Sequence, residues 1–383
     1  MAVPGDLLSS AQLNRALLAR QHLLERRAGP ALDVVEHLVG QQAQNAWSPY
    51  VGLWSRVAGF RHAELGDAFW TRTVTRIAVM RGTIHLVTPQ DALLLPALIE
   101  PLYARDLLVN VQHAAALRTV DVAEVTAEAR ALVEAEPRVT TDLGRLLAER
   151  WPAIPPSTLA YAARGTLPLV QVPPRGVWGR SGATTWTTAD AWFGAPSADL
   201  ADPEERALAL DGLVLRYLHA FGPASVADVQ SWSGLAGLRA VVDRLGDRLV
   251  RYRADPAPGG VRLRELVDVP EGPLPDPSTP APVRFLPDYD NVLLGHADRT
   301  RIVSDAHRRL LASPNGVIPA TFLLDGRVAG TWAVTRERSG PAILVVRPFA
   351  PVAARDRGPL EAEAQELVRF MADDAAGHRV VVE

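Results

Sequence analysis

Thr75-Arg76-Ile77-Ala78-Val79-Met80, then Arg81-Gly82, then Thr83-Ile84-His85-Leu86-Val87-Thr88: from these residues the architecture can be worked out. Both arms are rich in β-branched residues and a glycine lies between them, so the pair reads as a hairpin. The chain before it reads as helical. Ser9 and Gln12 make a capping-box pattern with a Leu8/Leu13 staple, and Leu13, Leu17 and Leu24 then recur at helical spacing. Gly29-Pro30 breaks the chain, and Pro30 opens a second helix carrying Val34, Val35, Leu38 and Val39. Ser48-Pro49 opens a third with Val51, Leu53, Trp54 and Val57, and a short helix near Glu64–Trp70 precedes the hairpin. Helices followed by a two-stranded ribbon make the winged-helix pattern, a variant of helix-turn-helix.

The order recurs along the chain. Residues 121–134, 140–149 and 157–164 read as helices, the second capped by Thr140 or Thr141. Leu167–Val172 and Thr184–Thr188 read as strands around a loop rich in glycine and arginine. A third copy has a helix at 204–220, then Ser225–Trp232 and Leu235–Leu245, and a hairpin of Leu249–Arg253 with Val261–Leu266. Residues 270–282 hold six prolines and read as a linker. Strands follow at Val283–Leu286, Ala320–Leu324, Arg327–Val334 and Ala342–Val346, with an Asp325-Gly326 turn, a helix at 359–374 and a final Arg379–Val382 strand. The expected divisions are 1–118, 119–200, 201–269, a linker at 270–283, and a β-rich unit at 284–383 with its terminal helix.

Composition narrows the chemistry. Of 383 residues 48% are hydrophobic and 22% charged, which suits a folded chain with sizeable cores and excludes disorder as the main state. With no cysteine, disulfides, iron–sulfur clusters and thiol catalysis are excluded together. No run of about 18 apolar residues occurs and the N-terminus lacks a basic segment followed by an apolar run, so a cytoplasmic, nucleoid-associated chain without membrane contact is expected. The net charge of −3 excludes binding of polyanions by bulk charge, so any basic face must be local. All 40 cationic side chains are arginine. GC-rich coding accounts for that bias, and the guanidinium fork also suits phosphate. No dimerisation heptad is visible, and a monomer is expected.

Gly40-Gln41-Gln42-Ala43-Gln44-Asn45 places four carboxamides in the five positions after its glycine. Two readings fit these residues. The amides cap the end of a helix, or the chain turns extended, so that Gln42 and Gln44 lie on one side across Ala43 and orient a water or polar ligand.

A resemblance decides between them. Val39-Gly40-Gln41-Gln42-Ala43-Gln44, with Ser48-Pro49-Tyr50 and Leu53-Trp54-Ser55-Arg56, resembles the Gln-x-Gln region of the AlkZ-type DNA glycosylases, which share a winged-helix DNA-binding family with YcaQ-like enzymes. Met80-Arg81-Gly82-Thr83-Ile84-His85-Leu86-Val87 is similar too. So are Phe221-Gly222-Pro223-Ala224-Ser225 leading to Asp228 and Trp232, and Phe285-Leu286-Pro287-Asp288-Tyr289-Asp290-Asn291 through His296, Asp298, Arg299 and Arg301. Asp325-Gly326-Arg327 with Gly330-Thr331-Trp332 completes the match. YcaQ-type relatives carry an acid where this chain has Gln44, so the resemblance is to the AlkZ type.

The resemblance implies an α+β fold in which three tandem winged helices pack with a β-barrel-like C-terminal unit into a concave DNA-binding molecule. It implies a monofunctional glycosylase, free of metal and cofactor, acting on bulky alkylated purines in double-stranded DNA and on interstrand crosslinks. By family analogy such an enzyme protects an antibiotic producer from its own genotoxin. Gln42 and Gln44 are then the catalytic candidates. A base alkylated on its imidazole ring already leaves as a cation, so what remains is to position a water, which an amide oxygen can do by accepting a hydrogen bond. The rival reading is a non-catalytic winged-helix DNA-binding protein.

Candidate DNA contacts are Asn45, Arg56, Arg81 at the hairpin bend, Arg175 and Arg180 beside the spaced glycines 176, 179 and 182, and Arg299 and Arg301. His85 lies in an apolar strand and is expected in the core or behind the reacting groups. Trp47 and Trp54 are expected in the core. Asp288, Asp290 and Asp298 lie among turn residues and are expected to cap or to pair with Arg299 or Arg301 rather than to bind metal.

Overall fold

The computed structural model describes residues 5–256, 261–311, 316–336 and 340–383. In it Thr75–Val79 and Thr83–Val87 pair antiparallel around the Arg81-Gly82 bend. Helices Ser10–Arg20, Ala31–His37, Ser48–Trp54 and His62–Trp70 come before this hairpin. The Ser9/Gln12 capping box forms at the first. The third starts differently from expectation, because Trp47 is its N-cap and the Ser48 hydroxyl is turned to Asp288 instead.

The second group repeats the order with helices Val122–Ala135, Thr140–Arg150 and Pro156–Thr166 and strands Leu169–Gln171 and Thr185–Thr188. Val139, with no side-chain bond, caps its middle helix, so neither Thr140 nor Thr141 has that role. The third group has helices Pro203–Phe221, Val226–Ser233 and Arg239–Leu245 and the hairpin Val250–Ala254 with Arg264–Asp268, to which Leu7–Leu8 adds a parallel edge. Most of the loop expected in that hairpin, residues 257–260, lies outside the described residues.

These groups are not beads on a string. Arg76 and Ile77 pair with Gln171 and Val170, joining the first two hairpins into one six-stranded sheet whose order runs from Gln41–Gln42 to Arg138–Val139. The first and third groups share one core, in which Leu17, Val34 and Leu38 meet Tyr217, Phe221 and Trp232. A 21-residue helix, Pro89–Val109, crosses between them. It contains Pro96 and Pro101, residues that ordinarily end a helix by removing a donor. Arg206 makes good the second loss by donating to the carbonyls of Ala97 and Leu98 at 2.9 and 2.8 Å.

The proline-rich segment is anchored rather than free. Arg15 Nε donates to Thr279 O at 2.6 Å, and Arg20, ion-paired to Asp268 at 2.7 Å, also reaches Pro273 O. The C-terminal strands Arg284–Leu286, Thr321–Leu324, Arg327–Arg336, Ala342–Pro348 and His378–Val382 form an open five-stranded sheet. They do not close into a barrel, because the last strand joins in parallel at one edge and Arg284–Leu286 ends the other. Helix Ala354–Met371 buries Leu360, Ala364, Leu367 and Val368 against this sheet. The Asp325-Gly326 turn, with both residues at positive φ, packs on the first helix, where Asn14 donates to Gly326 O at 2.7 Å. The fold is thus a mixed α+β one. Among the described residues no helix is long and apolar enough to cross a membrane.

Candidate active site

Val39 and Gly40 end the Ala31–His37 helix in left-handed conformations, at φ of 54° and 91°. A side chain at position 40 would lie 2.7 Å from Leu86 O, so only glycine permits the approach. The turn throws Gln41 and Gln42 into the sheet edge opposite Leu86 and His85, and Ala43 N continues the pairing to Ile84 O at 2.7 Å. Gln41 faces inward against Gly52. Gln42 lies beside His85 and is only 7% exposed. Its amide oxygen accepts from Arg81 Nη2 at 2.8 Å, while Arg81 Nη1 donates to Trp232 O in the third helical group. His85 faces Thr83 O through Nδ1 at 2.9 Å, which makes that nitrogen the protonated one. Burial, and then Arg81, push the His85 pKa down to about 3, so the ring is neutral at physiological pH.

Gln44 has a different environment. The chain bends there, Arg76 Nη2 holds Ala43 O at 2.6 Å, and the Gln44 side chain is exposed with no hydrogen-bond partner among the described residues. It lines an open cleft of about 570 Å³ with Ile84, Gln171, Tyr161, Arg164 and Trp186. Tyr161 and Arg164 also wall a side pocket of about 150 Å³ that reaches Arg81, Tyr103 and Asp106. Arg164 Nη2 donates to Gly82 O at 2.7 Å. The hairpin bend therefore connects the two amides: Arg81 grips Gln42, and the adjacent glycine is held by an arginine of the Gln44 cleft. The arrangement offers a charge-held amide and a free one, beside an aromatic-walled cleft wide enough for a bulky group.

The family model described as DNA glycosylase AlkZ-like matches residues 35–370. The chain belongs to that AlkZ-like family. An interstrand DNA cross-link repair glycosylase of Streptomyces sahachiroi is 26% identical over 375 residues, spanning 92% of this chain and 94% of the relative. The structure of the Streptomyces sahachiroi DNA glycosylase AlkZ superposes with a TM-score of 0.79 at 23% identity, over 98% of this chain and all of that one. That likeness establishes the fold.

Set against this AlkZ-like fold, the other candidates divide. Arg56 is wholly enclosed and donates to both carboxylate oxygens of Asp290 at 2.9 and 2.8 Å, so the expected DNA contact is corrected to an internal ion pair. Arg301 is corrected likewise: it is 2% exposed, donates to Pro223 O at 2.8 Å and lies 4.0 Å from Asp228. Asn45 is exposed, but its amide donates to the Asp288 carboxylate, which the Ser48 hydroxyl also holds. Burial pushes the Asp288 pKa up against those bonds. Asp290 caps the Asn291–Leu294 helix and Asp298 accepts from Thr300 N at 3.0 Å, as the capping expectation has it, but their arginine partners are Arg56 and, at 2.9 Å, Arg264 rather than Arg299 or Arg301. Among the described residues no three histidines or acids come close enough to share a metal.

Arg81 is half-buried with both guanidinium ends engaged inside the protein, which leaves it poorly placed for phosphate. Arg175 is half-buried and donates to Gly182 O at 3.2 Å, Arg180 is exposed, and Arg299 lines a groove beside Arg308. Trp47 and Trp54 are partly buried against the C-terminal core. Tyr161, Arg164, Gln171 and Trp186 carry no motif that could have announced them. They reach Gln44 only because the first two hairpins pair edge to edge.

Proposed function

We propose that this chain is a monofunctional DNA glycosylase that hydrolyses the N-glycosidic bond of bulky, cationic alkylated purines in duplex DNA and unhooks interstrand crosslinks. The observation that carries this reading is Gln44: an exposed, unpartnered amide in the wall of an open, aromatic-lined cleft. It occurs in a chain that belongs to a DNA glycosylase family and has a cross-link repair glycosylase among its relatives. A cationic base needs neither a strong acid nor a Lewis acid to depart. A fixed acceptor that turns a water toward the developing oxocarbenium is enough, and an amide oxygen supplies it without titrating. The cleft is open rather than a snug socket, which suits an adduct too large to be fully flipped.

The three helix–hairpin groups are read as winged-helix units 1–118, 119–200 and 201–269, forming the concave DNA-binding side of a monomer. Arg175, Arg180 and Arg299 carry the phosphate contacts, and protection of a genotoxin producer is the biological role this reading favours. The test is release of free base from a panel of adducted and crosslinked duplexes, with and without a chelator. Gln44→Ala is expected to slow single-turnover release by about 10-fold or more, the loss of one orienting hydrogen bond, with duplex affinity and melting unchanged. Duplex binding without base release from any adduct would leave a DNA-binding module instead.

A further inference from the structure

We propose that Arg81 is a positioning residue that sets the polarity of Gln42: it holds the amide oxygen, so that Gln42 meets the substrate through its NH2 and donates to an oxygen of the lesion nucleotide. This rests on the glycosylase reading above and divides the work of its two amides. Arginine has only donors, so the amide atom 2.8 Å from Arg81 Nη2 must be the oxygen, and the nitrogen necessarily points elsewhere. That nitrogen has no hydrogen-bond partner among the described residues.

The grip is built from three sides. Arg81 has a left-handed backbone at φ 57°, which aims its side chain back over the sheet edge instead of along the strand. Its other terminal nitrogen is fixed to Trp232 O at 2.5 Å. Gly234, just beyond that helix, lies so close to the bend that an added Cβ would be 3.2 Å from Arg81 N and Cα. Burial lowers the Arg81 pKa only to about 10, so the guanidinium stays charged at neutral pH and its hydrogen bond to Gln42 is charge-assisted.

A donor aimed at the attacking water would take up one of its two lone pairs and lower its nucleophilicity, whereas an acceptor raises it. The NH2 of Gln42 therefore serves a fixed acceptor on the substrate, a sugar, phosphate or purine carbonyl oxygen, and the water falls to Gln44, whose oxygen is unclaimed.

The decisive variant is Gln42→Glu. It keeps an oxygen for Arg81, so the pair still forms, but replaces the donating NH2 with an acceptor. Single-turnover base release by the full chain is expected to fall at least 10-fold with the melting temperature kept. Release at the wild-type rate or faster overturns the proposal, because an acceptor role would survive the change. Arg81→Gly suits the left-handed bend and removes the grip without adding backbone strain. It is expected to slow release, Arg81→Lys to restore part of it, and Arg81→Gly with Gln42→Ala to match Gln42→Ala alone within about two-fold. Effects that multiply would mean Arg81 acts elsewhere. A wild-type chain that frees no base from any duplex overturns the glycosylase reading and this one together, whereas an active wild type with an equally active Gln42→Glu overturns this one alone.

Discussion

Arg56→Met separates a phosphate contact from an internal ion pair, because the two roles leave different traces. In the structure Arg56 makes two bonds to Asp290, one to Gly52 O at 3.0 Å and one to Gln21 Oε1 at 3.3 Å, and none of its surface reaches solvent. Methionine fills much of the space but leaves the Asp290 carboxylate buried without its countercharge. Loss of one partner from such a pair costs about 3–5 kcal/mol, whereas an exposed pair contributes about 1 kcal/mol or less. At about 1.2 °C per kcal/mol for a chain of 383 residues, the melting midpoint should drop by roughly 4–6 °C. Asp290 also caps the short helix after it by accepting from Val292 N at 3.0 Å. Asparagine can keep that cap while removing the charge, so Arg56→Met with Asp290→Asn should recover most of the loss. Circular dichroism melts give the first readout, and duplex affinity against salt, measured well below the midpoint, gives the second. A variant that melts like wild type but whose salt slope is shallower by about 0.9 would show that Arg56 neutralises a phosphate after all.

Acid should destabilise the chain earlier than its carboxylates alone would. The buried His85 has a folded pKa lowered from 6.5 to about 3, mainly by burial, and burial lowers that of His296 as well, so below pH 6.5 the unfolded chain binds more protons than the folded one. That stability is intact above pH 6.5 and is lost as pH falls toward 3. By pH 5 the loss is about 2 kcal/mol for His85 alone, and urea midpoints equal at pH 7.5 and 5 would contradict it. Arg180→Ala and Arg299→Ala should each weaken duplex binding and reduce the log–log salt slope by about 0.9, with melting unchanged; an unaltered slope removes that residue from the interface. In Gly144→Ala the new methyl would lie 2.4 Å from Pro156 O, forcing apart the two helices that wall the Gln44 cleft. A destabilisation of about 1–3 kcal/mol with slower base release is expected, and a neutral substitution would show that those helices yield easily.

The sequence made the local elements of this fold readable and hid its joints. Alternation and turn chemistry located the Thr75–Val87 hairpin, the Asp325-Gly326 turn and most helices to within a few residues, because those signals depend only on neighbours in the chain. The Pro89–Val109 helix was not legible, since its prolines argue against it and the donor that makes good the loss at Pro101 comes from Arg206, over a hundred residues later. A β-barrel-like unit was equally unreadable as an open sheet, for closure depends on which edges pair. The same limit applied to Arg56 and Arg301. Arginine in a loop looks like a phosphate ligand, and only the tertiary fold reveals a carboxylate facing it indoors.

For the site, the resemblance singled out the two amides, and spacing missed their inequality. Residues i and i+2 of an extended segment share a side, which is why Gln42 and Gln44 read as a matched pair. The pairing of Ala43 with Ile84 bears out the extended backbone, yet the bend at Gln44 and the grip of Arg81 separate the two surroundings. One amide is fixed and nearly enclosed, and the other is free at the cleft wall. On the proposed reading, a fixed amide costs little reorganisation when a rigid duplex arrives, while a free one can follow a water whose position depends on the adduct. Two equally rigid amides would suit one substrate shape, and two free ones would orient nothing. Linked through the Arg81-Gly82 bend, which the second and third helical groups both hold, the pair keeps one reference point and one adjustable one. That combination fits the proposed activity, in which bulky groups of varied outline are accepted at a bond of constant geometry.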